Sequence, residues 1–155
     1  MLLEPVDTAP AENWRRMLNV NLMGLMVATQ AALPAMRKLR DGHIVNVSST
    51  AGKVANPTAA VYAATKFGVG GFSESLRKEV FKDNIRVTVI EPGAVATELR
   101  DHMTHAETKQ TIEAWVNSMR QLQPEDVAAS IVYAVTQPPH VNVNEILLRP
   151  TDQER

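Results

Sequence analysis

Residues 42–50, GHIVNVSST, and 84–95, NIRVTVIEPGAV, decide the fold. Each is a short run rich in β-branched residues that stops at small, polar or turn-forming ones, Ser48-Ser49-Thr50 in the first and Pro92-Gly93 in the second, which reads as a strand ending at a loop. Between them, residues 57–82 carry a helical composition rich in Ala, Lys and Glu, with Gly68, Gly70 and Gly71 placed where another helix can come close. Parallel neighbours need a crossover of a dozen or more residues, and this segment supplies it. Upstream, residues 11–39 place Met17, Val20, Met23 or Gly24, Val27 and Ala31 at helical spacing, with Pro10 as a start signal and Pro34 as an expected kink. Downstream, helical patterns at 105–120 and 124–136 precede a third strand at 141–151. The strands are apolar on both faces, as buried parallel strands are. This order implies an α/β fold, a parallel sheet of about three strands flanked by helices, in a single domain over residues 1–155.

The totals narrow the function classes. The 155 residues carry 16 Lys+Arg against 17 Asp+Glu, so no basic field favours nucleic acid. With no cysteine, disulfides, thiolate metal sites and a Cys nucleophile are excluded together. No apolar run reaches the roughly 20 residues of a membrane span, and the first residues are acidic where a signal peptide would be basic. A cytoplasmic protein that binds neither membrane nor nucleic acid is expected. His102 and His105 share a helical spacing but have no third ligand arranged with them, so no metal site is assigned. His43 and His140 flank strands and are expected at the surface. Asn46-Val47-Ser48 forms a glycosylation triplet but lies in a buried strand, and is set aside.

Ligands of open parallel sheets bind beyond the carboxyl ends of the strands. That rule selects Ser48, Ser49 and Thr50 after the first strand and residues 91–97 after the second. Tyr62 and Lys66 stand at i and i+4 near the start of the crossover helix, hence on one face and within reach of Ser49. A phenol ionises near 10, too high for efficient proton transfer at neutral pH, and an ammonium one turn away stabilises the phenolate. Tyr62 is therefore a candidate general acid/base toward an alcohol or carbonyl oxygen that Ser49 orients. Each residue also has a plainer use. Tyr62 can be a packed tyrosine beside a surface lysine, Ser49 and Thr97 can cap the turns that follow them, and Asn21 can face solvent.

NVNLMG (19–24), IVNVSSTAG (44–52), YAATK (62–66) and EPGAVATEL (91–99), in this order and spacing, resemble the C-terminal part of a short-chain dehydrogenase/reductase. The resemblance is dense over about residues 11–100 and thinner to 150. It implies part of a Rossmann fold and an oxidoreductase that interconverts an alcohol and a carbonyl with NADP or NAD. By this likeness Asn21, Ser49, Tyr62 and Lys66 match the catalytic tetrad, with Asn21 on a locally distorted helix. Tyr62 would be the proton donor and acceptor, and Lys66 would lower its pKa and hydrogen-bond the nicotinamide ribose. Pro92, Gly93, Val95 and Thr97 match the stretch that binds the nicotinamide carboxamide and the neighbouring phosphate. The ending NVNEILLRPTDQ is similar to members that act on small hydroxy acids or amino alcohols and often prefer NADP, and residues 98–119, with Met103, Trp115, Met119, Arg100 and His102, match the segment that shapes the substrate site. Helices corresponding to 11–39 and 57–82 pair with a partner's copies in the family, implying a homodimer or homotetramer.

The Gly-rich turn that follows the family's first strand has no counterpart here, because FGVGGF lies inside a helix. About 80–100 residues of a usual member are not matched, including the adenosine half of the site. The chain alone is therefore expected to bind nicotinamide cofactor weakly and to expose the edge of the 44–48 strand. Two other functions stay open. One is a truncated, inactive chain that associates through its helices with a full-length relative, and the other is the epimerase or dehydratase chemistry of extended relatives.

Overall fold

A computed structural model describes residues 1–154. Three parallel strands, β1 (Gly42–Val47), β2 (Ile85–Pro92) and β3 (Glu145–Leu148), lie in that order across one sheet. β1 pairs with β2 from Gly42 opposite Ile85 to Val47 opposite Ile90, and β2 pairs with β3 from Val89 opposite Glu145 to Pro92 opposite Leu148. β2 is buried along almost its whole length because it has a strand on each side and apolar residues on both faces. β3 is shorter than residues 141–151 suggest. The Asn142 side chain replaces ladder bonds there, accepting from Val87 N at 2.9 Å and donating to Val87 O at 3.0 Å. Backbone pairing resumes only where Val89 N reaches Asn144 O at 2.9 Å.

The upstream helical segment is α1 (Ala11–Leu18), a π-helical turn over Asn19–Met23, and α2 (Gly24–Leu39). The local distortion implied for the helix around Asn21 is thus present. Pro34 does not end α2, which stops where Arg40 adopts a left-handed φ of 51°. Helical spacing was right, yet most of its apolar row faces outward. Val20, Met23 and Val27 are each more than half exposed, whereas Leu33 and Met36 from another row pack on Ile44, Leu76, Val80, Ile85 and Val87. Both rows have the helical period, so periodicity cannot choose between them.

The crossover helix α3 (Ala60–Val80) buries Tyr62, Ala63, Thr65, Val69, Ser73, Leu76 and Val80. Of its glycines only Gly68 meets a neighbour closely, where a Cβ would stand 3.0 Å from Leu22; Gly70 and Gly71 face open space. Helix α4 (Ala106–Asn117) is capped by His105, whose Nδ1 accepts from Thr108 N at 3.3 Å, so that histidine has a structural partner. Helix α5 (Pro124–Val135) starts in a capping box formed by Gln123 and Asp126. His43 is half-buried rather than at the surface, because its place in β1 sets Nε2 2.7 Å from Thr88 Oγ1; burial and the Arg86 charge lower its pKa. Among the described residues no helix is long and apolar enough to cross a membrane, and no group of three or more His, Cys, Asp or Glu could hold a metal ion.

Candidate active site

One cavity of about 430 Å³ opens at the carboxyl ends of β1 and β2. Its lining brings together Ser49, Tyr62, Lys66, Pro92, Gly93, Val95 and Thr97, drawn from three separate stretches of sequence. Loop geometry makes this convergence possible. After β1 the chain makes a short 3₁₀ turn, Thr50–Gly52, against α3, and a Cβ at Gly52 would stand 2.7 Å from Ser48 Oγ and 3.0 Å from Lys66 O. Only glycine lets the turn lie that close to the helix. Ser48 Oγ donates to Lys66 O at 3.0 Å from the same side.

Ser49 has its anticipated capping use: its Oγ accepts from Ala51 N at 3.1 Å, and the same hydroxyl lies 3.5 Å from Pro92 O while lining the cavity beside Tyr62. Burial holds the Tyr62 pKa above its ordinary value of 10.0, and the nearby Ser49 hydroxyl works against that rise. The Lys66 ammonium lies 5.8 Å from the centre of the Tyr62 ring, and burial lowers its pKa. Its Nζ donates to Val47 O at 3.0 Å. Lys66 therefore stands beside the phenol but spends a hydrogen bond on β1. In this arrangement burial, rather than the neighbouring ammonium, dominates the phenol's pKa.

Asn21 does not line the cavity. Its Nδ2 donates to Thr65 Oγ1 at 3.3 Å, and Thr65 in turn donates to Tyr62 O at 2.7 Å, so Asn21 reaches the site through the backbone of α3. Thr97 caps the 3₁₀ turn Glu98–His102, with Oγ1 3.5 Å from Leu99 N. Trp115 lines the cavity together with Leu99, Ile112 and Val116, whereas Met103 is buried in the cluster that packs on Tyr62. Met119 and His102 are not part of the lining. Arg100 is, but its guanidinium donates to Val95 O at 2.9 Å and to Gln121 Oε1 at 2.8 Å.

Met1 and Leu3, which add apolar wall, and Gln153, which enters the lining from the segment after β3, escape the sequence reading. Glu91, within the selected 91–97 stretch, has surroundings the sequence does not show: its side chain is only 2% exposed at the end of β2, 3.4 Å from Lys53 Nζ, and Lys53 also reaches Glu145 Oε2 at 2.9 Å. Glu91 Oε2 is buried without a hydrogen-bond partner. Burial raises the Glu91 pKa above its ordinary 4.5, against the opposing pull of Lys53. A carboxyl whose folded pKa is raised binds more protons folded than unfolded, so its cost is absent below 4.5 and grows as pH rises toward the folded value. Glu91→Gln is accordingly expected to gain stability over the parent chain as pH rises from below 4.5 to neutral. Urea midpoints at several pH values check this; a difference that stays constant with pH would show that Lys53 fully compensates the buried charge.

The cavity's residues fit the nicotinamide end of a dinucleotide. They pair an apolar floor, Pro92, Ala94 and Val95, with the hydroxyls and ammonium of Ser49, Tyr62 and Lys66. Neither strand that borders the cavity, β1 or β2, is followed by a Gly-rich turn.

Comparison with known proteins gives the same family. The model of the short chain dehydrogenase family matches residues 2–131. An uncharacterized oxidoreductase of Staphylococcus saprophyticus is 41% identical over 145 residues, which cover 92% of this chain and 58% of that protein. A second uncharacterized oxidoreductase, from Staphylococcus aureus, is 35% identical over 150 residues. The chain thus spans 58–60% of the length of these curated relatives. Among solved structures, the closed form of serine dehydrogenase complexed with NADP+ is 36% identical with a TM-score of 0.91, covering 99% of this chain and 62% of that one. A 3-oxoacyl-[acyl-carrier protein] reductase from Brucella melitensis with bound NAD is 29% identical with a TM-score of 0.76, covering 96% of this chain and 55% of that one. The matched residues 2–131 take in the Ser49, Tyr62 and Lys66 cluster and both strands that position it, and the chain belongs to the short-chain dehydrogenase family.

Proposed function

We propose that this chain forms the catalytic and nicotinamide half of an oxidoreductase that interconverts an alcohol and a carbonyl, with Tyr62 as general acid/base. The observation that carries this reading is the single cavity shared by Ser49, Tyr62, Lys66 and the Pro92–Thr97 stretch. NADP or NAD, when bound, supplies or accepts the hydride. Tyr62, Lys66, Pro92, Gly93, Val95 and Thr97 would hold its nicotinamide end. The relatives with NADP and NAD bound support both forms, and the likeness of residues 142–153 to NADP-preferring members favours NADP.

The chain's own groups handle the proton. Burial keeps the Tyr62 phenol protonated through neutral pH, so its Oη can give a proton to a carbonyl oxygen as the alcohol forms. In the reverse direction Oη takes the alcohol proton, which requires the phenolate and therefore speeds up with rising pH. The Ser49 hydroxyl donates a hydrogen bond to the same substrate oxygen and fixes its position beside the phenol. Small hydroxy acids and amino alcohols are the proposed substrates, which would lie against the apolar wall of Leu99, Ile112, Trp115 and Val116.

The test is oxidation of NADPH or NADH by a panel of small carbonyl compounds, followed across pH, together with cofactor titration by fluorescence. Carbonyl reduction is expected to stay level through neutral pH and to fall only above the phenol's ordinary value of about 10. Cofactor affinity is expected to be weaker than micromolar. The reading fails if no carbonyl compound is reduced, or if reduction titrates near neutrality.

A second reading is association of the chain, without turnover, with a longer relative. It is favoured by the outward row of Val20, Met23 and Val27 and by exposed Phe67, on the helical segments 11–39 and 57–82. The same faces would serve a homodimer or homotetramer of this chain.

A further inference from the structure

The short stretch that leaves β2 is held from two sides. On one side Leu122 forms a parallel bridge with Val95, with Leu122 N bonded to Ala94 O at 3.0 Å and Ala96 N to Leu122 O at 2.9 Å. On the other side the segment after β3 supplies the partners. Gly93 N reaches Leu148 O at 2.8 Å, continuing the sheet by one residue. The chain then turns at Pro150, where Gln153 N bonds Pro150 O at 3.0 Å, and folds back over the strand ends. Gln153 is thereby buried to 7% exposure, and its Oε1 accepts from Ala94 N at 2.9 Å. A Cβ at Gly93 would run into the Gln153 side-chain amide, so the contact is close as well as hydrogen-bonded. Gln153 also lines the cavity that holds Ser49 and Tyr62, which places a residue from near the end of β3 in the site some 90 positions away from Tyr62 (153 against 62).

A long, flexible polar side chain loses rotamer freedom when buried, which opposes folding. Its hydrogen bond to a buried backbone amide, and the amide's otherwise unmet need for a partner, give that cost a structural return. The amide it satisfies belongs to the turn that forms the cavity's floor.

Resting on the dehydrogenase reading, we propose that Gln153 is a positioning residue: by accepting from Ala94 N it sets the Gly93–Val95 turn at the height that the nicotinamide end requires beside Tyr62. The residue acts through the turn and touches no reacting atom.

Two substitutions separate shape from hydrogen bonding. Gln153→Met keeps length and loses the acceptor, whereas Gln153→Glu keeps an acceptor oxygen at the same reach. Amide exchange at Ala94, read by NMR in the unliganded chain, is expected to be ~5-fold faster in the methionine variant and within ~2-fold of the parent in the glutamate variant, since one net hydrogen bond corresponds to roughly that factor. The Ile90 amide is the internal control and is expected to be unchanged. In carbonyl reduction the methionine variant is expected to lose ~10-fold in kcat with KM for the carbonyl substrate within ~2-fold, and the glutamate variant to recover it, because a small displacement of a positioning element acts on the chemical step. Unchanged Ala94 exchange in the methionine variant overturns the proposal. So does faster exchange with unaltered kcat. A parent chain with no turnover defeats the dehydrogenase reading alone, and the Ala94 comparison then decides by itself whether Gln153 holds the turn.

Discussion

Tyr62→Phe is expected to lower carbonyl reduction by about 10²- to 10⁴-fold while leaving the fold and the melting temperature nearly unchanged. The size follows from what a positioned general acid contributes. The ring is 8% exposed, packed with Leu2, Leu3, Met17, Ala59 and Met103, and that packing is kept by phenylalanine. The substitution removes only the phenol hydroxyl and its interaction with the nearby Ser49 hydroxyl. Stopped assays at saturating cofactor, alongside thermal unfolding, provide the measurement. A variant with parental turnover would assign the proton to another group and overturn the role proposed for Tyr62.

Ile90→Ala is expected to cost about 2–5 kcal/mol of folding stability, the range for a large aliphatic side chain removed from a core. Ile90 has no exposed surface and lies on the middle strand, opposite Val47 of β1 and Ile146 of β3. Neither neighbouring strand can move into the space without giving up its register with β2. Urea unfolding followed by circular dichroism would show the loss as a lowered midpoint. A shift equivalent to less than about 1 kcal/mol would mean that β2 is not the packed centre of the sheet in solution.

The parallel sheet was legible because its strands end in unambiguous stop signals, Ser48 to Thr50 and Pro92-Gly93, separated by a helix long enough for a crossover. The meeting of Ser49, Tyr62 and Lys66 was equally legible, since an i, i+4 pair at the start of that helix must face the loop it follows. Three things were not. The face that α2 buries depends on which of two apolar rows finds a partner, and a sequence carries both. The true length of β3 depends on Asn142 choosing side-chain over backbone bonding. Gln153 enters the site through a turn after a short strand, and a glutamine has no pattern that announces such a contact. Tyr62 was legible only in part: spacing shows that an ammonium is near, but only the packing shows that desolvation outweighs it.

The hydrogen bond from Lys66 to Val47 O has a bearing on how substitutions in this chain are to be interpreted. Ser48 N is bonded to Ile90 O, and backbone groups alternate along a strand, so the Val47 carbonyl points away from β2 toward the side of β1 that has no strand beside it among the described residues. Lysine at such a place is a gatekeeper: it occupies an acceptor that a stray strand would otherwise use, and brings a charge to a border prone to sticking. In the proposed mechanism one side chain would thus serve both chemistry and colloidal behaviour. Removing it confounds the two, since a preparation that has lost Lys66 can fail in an assay because it has clumped. The phenol, whose hydroxyl guards no border, is the cleaner handle on mechanism.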